Sequence, residues 1–273
     1  MSAITATPTT PAAAGTATVQ GDLWSASSVD WADIMEPLER PLFEHALAQP
    51  TLRGARRHLD TGCGSGLATR LARQRIEEVH GIDAAPGMIA VARARDPNIE
   101  YRIGDIQSLP YRDGSFDVVT GFNAFQYAAA PQEALREARR VSRRGATIIL
   151  ATWGEVADCQ AAVYLQALGR LLPPPPPGAP GPFALSDRAR LEALARDAGL
   201  EPLSVHDVDC AFVFTDLEQA LRGLLSAGPA TRAIRTAGTE AVRAAVSAAI
   251  EPFRMTGGGY RLQNRFRYLV ARA

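Results

Sequence analysis

The sequence predicts an α/β fold built on a mostly parallel sheet, and three observations predict it. From His58 to Trp153 short apolar runs alternate with helically patterned stretches, the signature of consecutive βαβ units. The first run ends in a glycine-rich turn, Asp60-Thr61-Gly62-Cys63-Gly64-Ser65-Gly66, which opens at once into the helical stretch Leu67 to Gln74. The run Phe116 to Gly121 is apolar enough to be buried on both faces, as strands inside a parallel sheet are.

Taken in order, residues 1–18 are mainly Ala, Thr and Pro, and such a segment buries too little surface to offset its ordering entropy. A disordered tail is expected there, with one domain over 19–273. From 19 to 50 the spacing of Trp24, Trp31, Ile34, Met35 and Leu38 predicts a helical cap, bent near Pro37 and continued by a helix from Leu42 to Ala48. Each Trp serves either as core or as pocket lining. After the glycine turn, Glu78 to Asp83 reads as a second strand ending in an acid, and Pro86 opens the next helix. Ile99 to Ile106 reads as the third strand and its exit. Pro131 to Arg144 is a helix with a charged face, and Ala146 to Trp153 is strand five. Pro173 to Pro182 is a stiff, extended loop. Ser186-Asp187 caps a helix that Gly199 stops. Leu203 to Phe214 is strand six, and Arg265 to Ala271 the last strand. Between them, 215–259 reads as a helical insertion or lid, with Gly257-Gly258-Gly259 as its hinge or turn.

The glycine turn carries the chemistry. Alternating glycines let backbone approach a ligand closely, and the helix that follows offers free N–H groups. The spacing is G-x-G-x-G, with Leu67 where a dinucleotide site has its third glycine. No Tyr-x-x-x-Lys pair is possible either, since all 29 basic residues are Arg. A nicotinamide oxidoreductase is therefore disfavoured. Asp83 lies 17 positions past Gly66, close to the ~20 at which a carboxylate reaches a ribose diol.

These residues resemble motif I of class I S-adenosylmethionine (SAM)-dependent methyltransferases, of the type 11 kind that act on small molecules. The stretch Gly104-Asp105 through Leu109-Pro110-Tyr111 to Phe116-Asp117-Val118-Val119 is the most specific match. The resemblance implies a Rossmann-like, seven-stranded, mostly parallel sheet of order 3-2-1-4-5-7-6 with helices on both faces. It implies SAM as cofactor, held by Asp60, Gly62, Cys63, Gly64, Asp83, Ala84, Met88, Gly104, Asp105, Ile106, Gly121 and Phe122. Among these Asp83 takes the ribose, Met88 the adenine face, Asp105 the adenine amino group and the Ile106 backbone the ring edge. The acceptor is expected against Trp24, Trp31, Phe125, Gln126, Trp153 and Tyr260, an aromatic set suited to a small, largely apolar molecule, a secondary metabolite among others. Several relatives carry His at the position of Gln126, and an amide cannot take a proton. No catalytic residue is assigned; His206, Asp207 and Asp209 qualify only by side-chain type. The same fold and bound SAM also serve non-methylating cyclases, which leave SAM unconsumed.

Composition narrows the partners. Formal net charge is zero, which argues against nucleic acid bound by phosphate neutralisation. Without Lys there is no Schiff base and no P-loop lysine. Cys63, Cys159 and Cys210 are in neither disulfide nor metal spacing, so no metal is expected. No apolar run reaches ~18 residues and no signal peptide is visible, so no membrane partner and a cytoplasmic location are expected. Helical lids in the family often form dimer contacts, which leaves a homodimer open.

Overall fold

A computed structural model describes residues 16–174 and 181–273. Most of the expected tail, and residues 175–180 of the proline-rich loop, lie outside the described residues. The tail's last residues differ from the expectation. Ala17–Ser25 is a helix (α1), and Thr16 before it donates its hydroxyl to the Tyr127 carbonyl at 2.7 Å. Helical winding resumes in α2 (Ser28–Asp30), passes through a π-turn at Trp31–Met35 and a 3-10 turn at Glu36–Glu39, and ends in α3 (Arg40–Leu47). Pro37 and Pro41 sit where the winding changes, because a proline cannot donate to the preceding turn.

The sheet is built from β1 (Arg57–Thr61), β2 (Glu78–Asp83), β3 (Glu100–Ile103), β4 (Phe116–Phe122), β5 (Ser142–Trp153), β6 (Glu201–Phe214) and β7 (Tyr260–Arg272). Their order is β3-β2-β1-β4-β5-β7-β6. The first five run parallel, and β7 is antiparallel to both β5 and β6. Between them lie α4 (Leu67–Arg73), α5 (Pro86–Arg95), α6 (Pro131–Val141), α7 (Ala162–Arg170) and α8 (Arg188–Asp197). The insertion before β7 holds α9 (Leu217–Leu224), α10 (Gly228–Ala237) and α11 (Thr239–Ile250).

Alternation along each strand sorts side chains into two cores. Ile149, Ala151, Val118 and Val270 face the core shared with α3, α4, α7 and the α9–α11 insertion. Ile148, Leu150, Val119 and Leu269 face the core under α6 and α8. The last strand begins at Tyr260, five residues before the expected Arg265, and pairs along its length with β6. Arg261 and Gln263 hide this start in the sequence, although Tyr260, Leu262 and Asn264 alternate inward. Helices α7 and α10 were not read from the sequence at all. Both are short, and Gly228-Pro229 at the start of α10 mimics a loop.

Candidate functional site

The carboxyl ends of β1, β2 and β4 open into one cavity, roofed by α1, the π- and 3-10 turns, α7 and the start of α10. This is where open α/β sheets bind ligands, at the point where strand order reverses. The space between its walls, open solvent at the mouth included, is about 1230 Å³.

The floor is the glycine turn. Gly62, Gly64 and Gly66 all have positive φ, at 69°, 53° and 83°. Gly62 and Cys63 donate to the Ile82 carbonyl, at 2.7 and 3.1 Å, which ties the turn to β2. Beneath it lies a buried polar chain. Thr69 and Thr120 donate their hydroxyls to the two oxygens of Asp60, at 2.7 and 2.9 Å. Thr120 has then spent its only proton, so His58 Nε2 must carry a hydrogen to donate to Thr120 Oγ1 at 2.7 Å. Burial holds His58 neutral, with its pKa lowered to about 3, and raises the Asp60 carboxyl to about 7 despite both donors.

On the second strand, Asp83 accepts from Gly64 N at 2.9 Å through Oδ2 and from Ala85 N at 2.8 Å through Oδ1. Two backbone donors thus fix the carboxylate while its outer lone pairs face the cavity. Met88, Asp105 and Ile106 form the neighbouring wall, and Asp105 Oδ1 is oriented by Gln107 N at 2.8 Å. Opposite, Trp24 and Trp31 meet edge-to-face at 4.9 Å, Trp24 reaches Tyr127 at 5.7 Å, and Phe43 packs on Phe122 at 4.9 Å.

Of the expected residues, Asp60, Gly62, Cys63, Gly64, Asp83, Ala84, Met88, Asp105, Ile106, Phe122, Trp24, Trp31 and Trp153 line this cavity. Gly104, Gly121, Phe125, Gln126 and Tyr260 are not in its wall. Phe125 sits in the α6–α8 core on the other side of the sheet, over Gly121, whose Cβ would lie 2.3 Å from that ring. Gly104 is bare because the Ile82 side chain occupies the place of its Cβ. Tyr260 is buried between β6 and Glu251, to which it donates at 3.1 Å. Gln126 is fully buried behind Asn123. His206, Asp207 and Asp209 lie on β6, where His206 stacks on Tyr268 and the two acids pair with Arg267 and Arg265.

Sequence reasoning missed Glu36, Glu39 and Tyr164, all in the wall. One signal was present. Met35, Glu39, Leu42, Phe43 and Ala46 follow the i, i+3, i+4 rule, so Glu39 stands inside the buried stripe of its own helix. Glu36 clamps the cap to the turn, accepting from Ser65 Oγ and from the Leu67 backbone. Burial raises its pKa all the same.

The residues present fit an S-adenosyl group. Asp83 offers a fixed diol acceptor and Met88 with Ile106 an apolar slot beside Asp105. A Cβ on Gly64 would project toward Glu36 and Trp31, into the space between turn and cap. Comparison with known proteins agrees. Residues 59–150 match the model of a methyltransferase domain family. A malonyl-acyl-carrier-protein O-methyltransferase of Serratia marcescens is 34% identical over 137 residues, half of this chain and 51% of its own length. The chain thus spans about half the length of that relative. The enzyme of the same name from Erwinia pyrifoliae is 30% identical over 191 residues, 70% of this chain and 69% of its own. Among solved structures the 4+2 cyclase SpnF superposes with a TM-score of 0.55 at 22% identity, over 85% of this chain and 80% of its own, a likeness of fold alone. The chain belongs to the class I SAM-dependent methyltransferases, and SAM is the cofactor of that family.

Proposed function

We propose that the protein transfers a methyl group from SAM to a small, largely apolar molecule of secondary metabolism. The observation that carries this reading is the composition of the wall. Beyond the glycine turn the cavity continues between Trp24, Trp31, Phe43, Phe122, Tyr127, Trp153 and Tyr164. Among its described lining residues are five carboxyl groups, those of Glu36, Glu39, Asp60, Asp83 and Asp105, and no Arg or Lys. An acceptor with a free carboxylate, such as the malonyl group named for the relatives, would meet no cation there. A neutral, apolar acceptor suits the wall.

Asp83, Met88, Asp105 and Ile106 would hold the nucleoside, and the Gly62–Gly64 backbone the remainder. The bound cofactor supplies an activated methyl carbon on a sulfonium. The chain's own part is to orient the acceptor and to exclude water, which the aromatic roof does.

The test is calorimetric titration with SAM, S-adenosylhomocysteine and NAD, followed by labelled-methyl transfer to a panel of small phenols, alcohols and amines. Binding of the two sulfur nucleosides but not NAD, with labelled product, supports the reading. No binding of either nucleoside overturns it. Conversion of an acceptor with SAM left unconsumed would establish the cyclase alternative instead.

A further inference from the structure

We propose that Glu39 is the proton-accepting residue of the acceptor half of the cavity, and that the acceptor presents it with a hydroxyl. The inference rests on the methyltransferase reading and deepens it. Glu39 reaches the wall from the 3-10 turn of the cap and is only 3% exposed. Its Oε2 accepts from Asn123 Nδ2 at 3.2 Å, and among the described residues no donor reaches Oε1. A buried carboxylate without a cation or a second donor is costly unless a ligand completes it.

The partner is itself held in place. Asn123 is the one described non-glycine residue with positive φ, at 52°, directly after β4. Its backbone donates to the Ala151 carbonyl at 3.0 Å, and its side-chain Oδ1 accepts from Gln126 Nε2 at 3.2 Å. With Oδ1 turned to Gln126, the amide presents Nδ2 to Glu39. Gln126 is therefore a positioning residue. A group that can take a proton is supplied from 87 positions upstream, by the cap.

Glu39 faces Glu36 on its own turn, Tyr127 beyond β4, Tyr164 on α7 and Cys210 on β6. None of these is a cation. Burial first, and the neighbouring Glu36 charge second, raise the Glu39 carboxyl to about 8, against the Asn123 hydrogen bond. As acceptor oxygen and methyl carbon bond, the acceptor O–H bond breaks and its proton passes to Glu39 Oε1. The electron pair of the broken carbon–sulfur bond stays on sulfur, and Glu39 returns its proton to solvent when the site opens. Only the ionised carboxyl can do this, so turnover rises with pH up to about 8 and levels above it.

The test uses the full-length chain as wild type, Glu39→Gln and Gln126→Ala. Infrared spectra across pH 6–10 should show, beside the Asp60 carboxyl that titrates near 7, a protonated-carboxyl component that fades with a midpoint near 8 in wild type; that component is missing in Glu39→Gln and moves in Gln126→Ala. Labelled-methyl transfer to small phenols and alcohols should fall about 10²–10⁴-fold in kcat for Glu39→Gln, with the pH slope gone and with acceptor KM and SAM affinity kept. An unchanged rate or slope in Glu39→Gln overturns the proposal. So does a variant whose SAM affinity falls with its rate, since Glu39 would then be structural. Turnover of amines alone, or of none of the panel while SAM binds, overturns the hydroxyl acceptor. Failure of wild type to bind SAM would instead sink the cofactor reading, and calorimetry separates the two.

Discussion

Asp83 shows how a single carboxylate is prepared for a ligand. Gly64 N and Ala85 N occupy one lone pair on each oxygen, so the group is aimed before anything binds. Removing it in Asp83→Ala should lower SAM affinity about 10–100-fold by calorimetry, the worth of hydrogen bonds to a charged group. His58 makes a second residue-scale prediction. Its pKa is lowered to about 3 in the fold and is about 6.5 when unfolded, so the unfolded chain binds more protons in between. The contribution of His58 to stability therefore falls as pH drops from about 6.5 toward 3. His58→Gln keeps a donor for Thr120 and should flatten that part of the profile in urea unfolding measured at fixed pH.

At the scale of elements, the cap and the sheet are joined through contacts too tight for a side chain. A Cβ on Gly21 of α1 would lie 2.2 Å from the Ala84 carbonyl oxygen, which belongs to the backbone and cannot swing away. Nearby, Gly87 N donates to Ser25 Oγ at 3.0 Å. Gly21→Ala should thus lift α1 off the β2–α5 loop at a cost of about 1–3 kcal/mol. Because α1 also carries Trp24 and Gln20 into the wall, the same variant should weaken SAM binding, while Gly54→Ala, with open space around it, should leave binding unchanged.

For the molecule as a whole, the site is assembled from segments far apart in the chain, so ligand and fold must be coupled. SAM at about 100 times its Kd should add about 2.7 kcal/mol of stability, a rise of roughly 5–10 °C in Tm for a chain of this size. Without ligand, the buried acids of the site oppose alkaline conditions, Asp60 and Glu39 most clearly. Asp60 is raised to about 7 and Glu39 to about 8, so the fold binds protons that the unfolded chain has released. Their contribution is complete below about pH 4 and lost as pH rises toward 8. Below about pH 6.5 the His58 term opposes this loss; above it, unfolding free energies of the apo protein should decline toward pH 8, and less steeply in Glu39→Gln.

The sequence by itself determined the local half of this protein. Strand-turn-helix order, the glycine turn and the acid ending β2 follow from patterns a few residues long, because each is set by backbone conformation near its own residue, whereas Asp105 was pointed to by the family resemblance. Trp24, Trp31 and Trp153 were legible as aromatic side chains near the cleft, though not their partners. Only the tertiary structure decided what requires two distant segments to meet. Phe125 and Gln126 lie in the short turn that follows β4 and Asn123-Ala124, yet one turns into the opposite core and the other backs Asn123, because a residue's face depends on the turn that carries it. Tyr260 became a strand residue through its pairing with Phe214, 46 positions earlier. Glu39 was given no role by the sequence reading. The i, i+3, i+4 stripe marks its face, but the burial exists only when the cap folds down onto the carboxyl ends of the strands, where Asn123 donates to it and Tyr127 and Tyr164 line the same cavity, and that long-range packing removes its solvent and changes its chemistry.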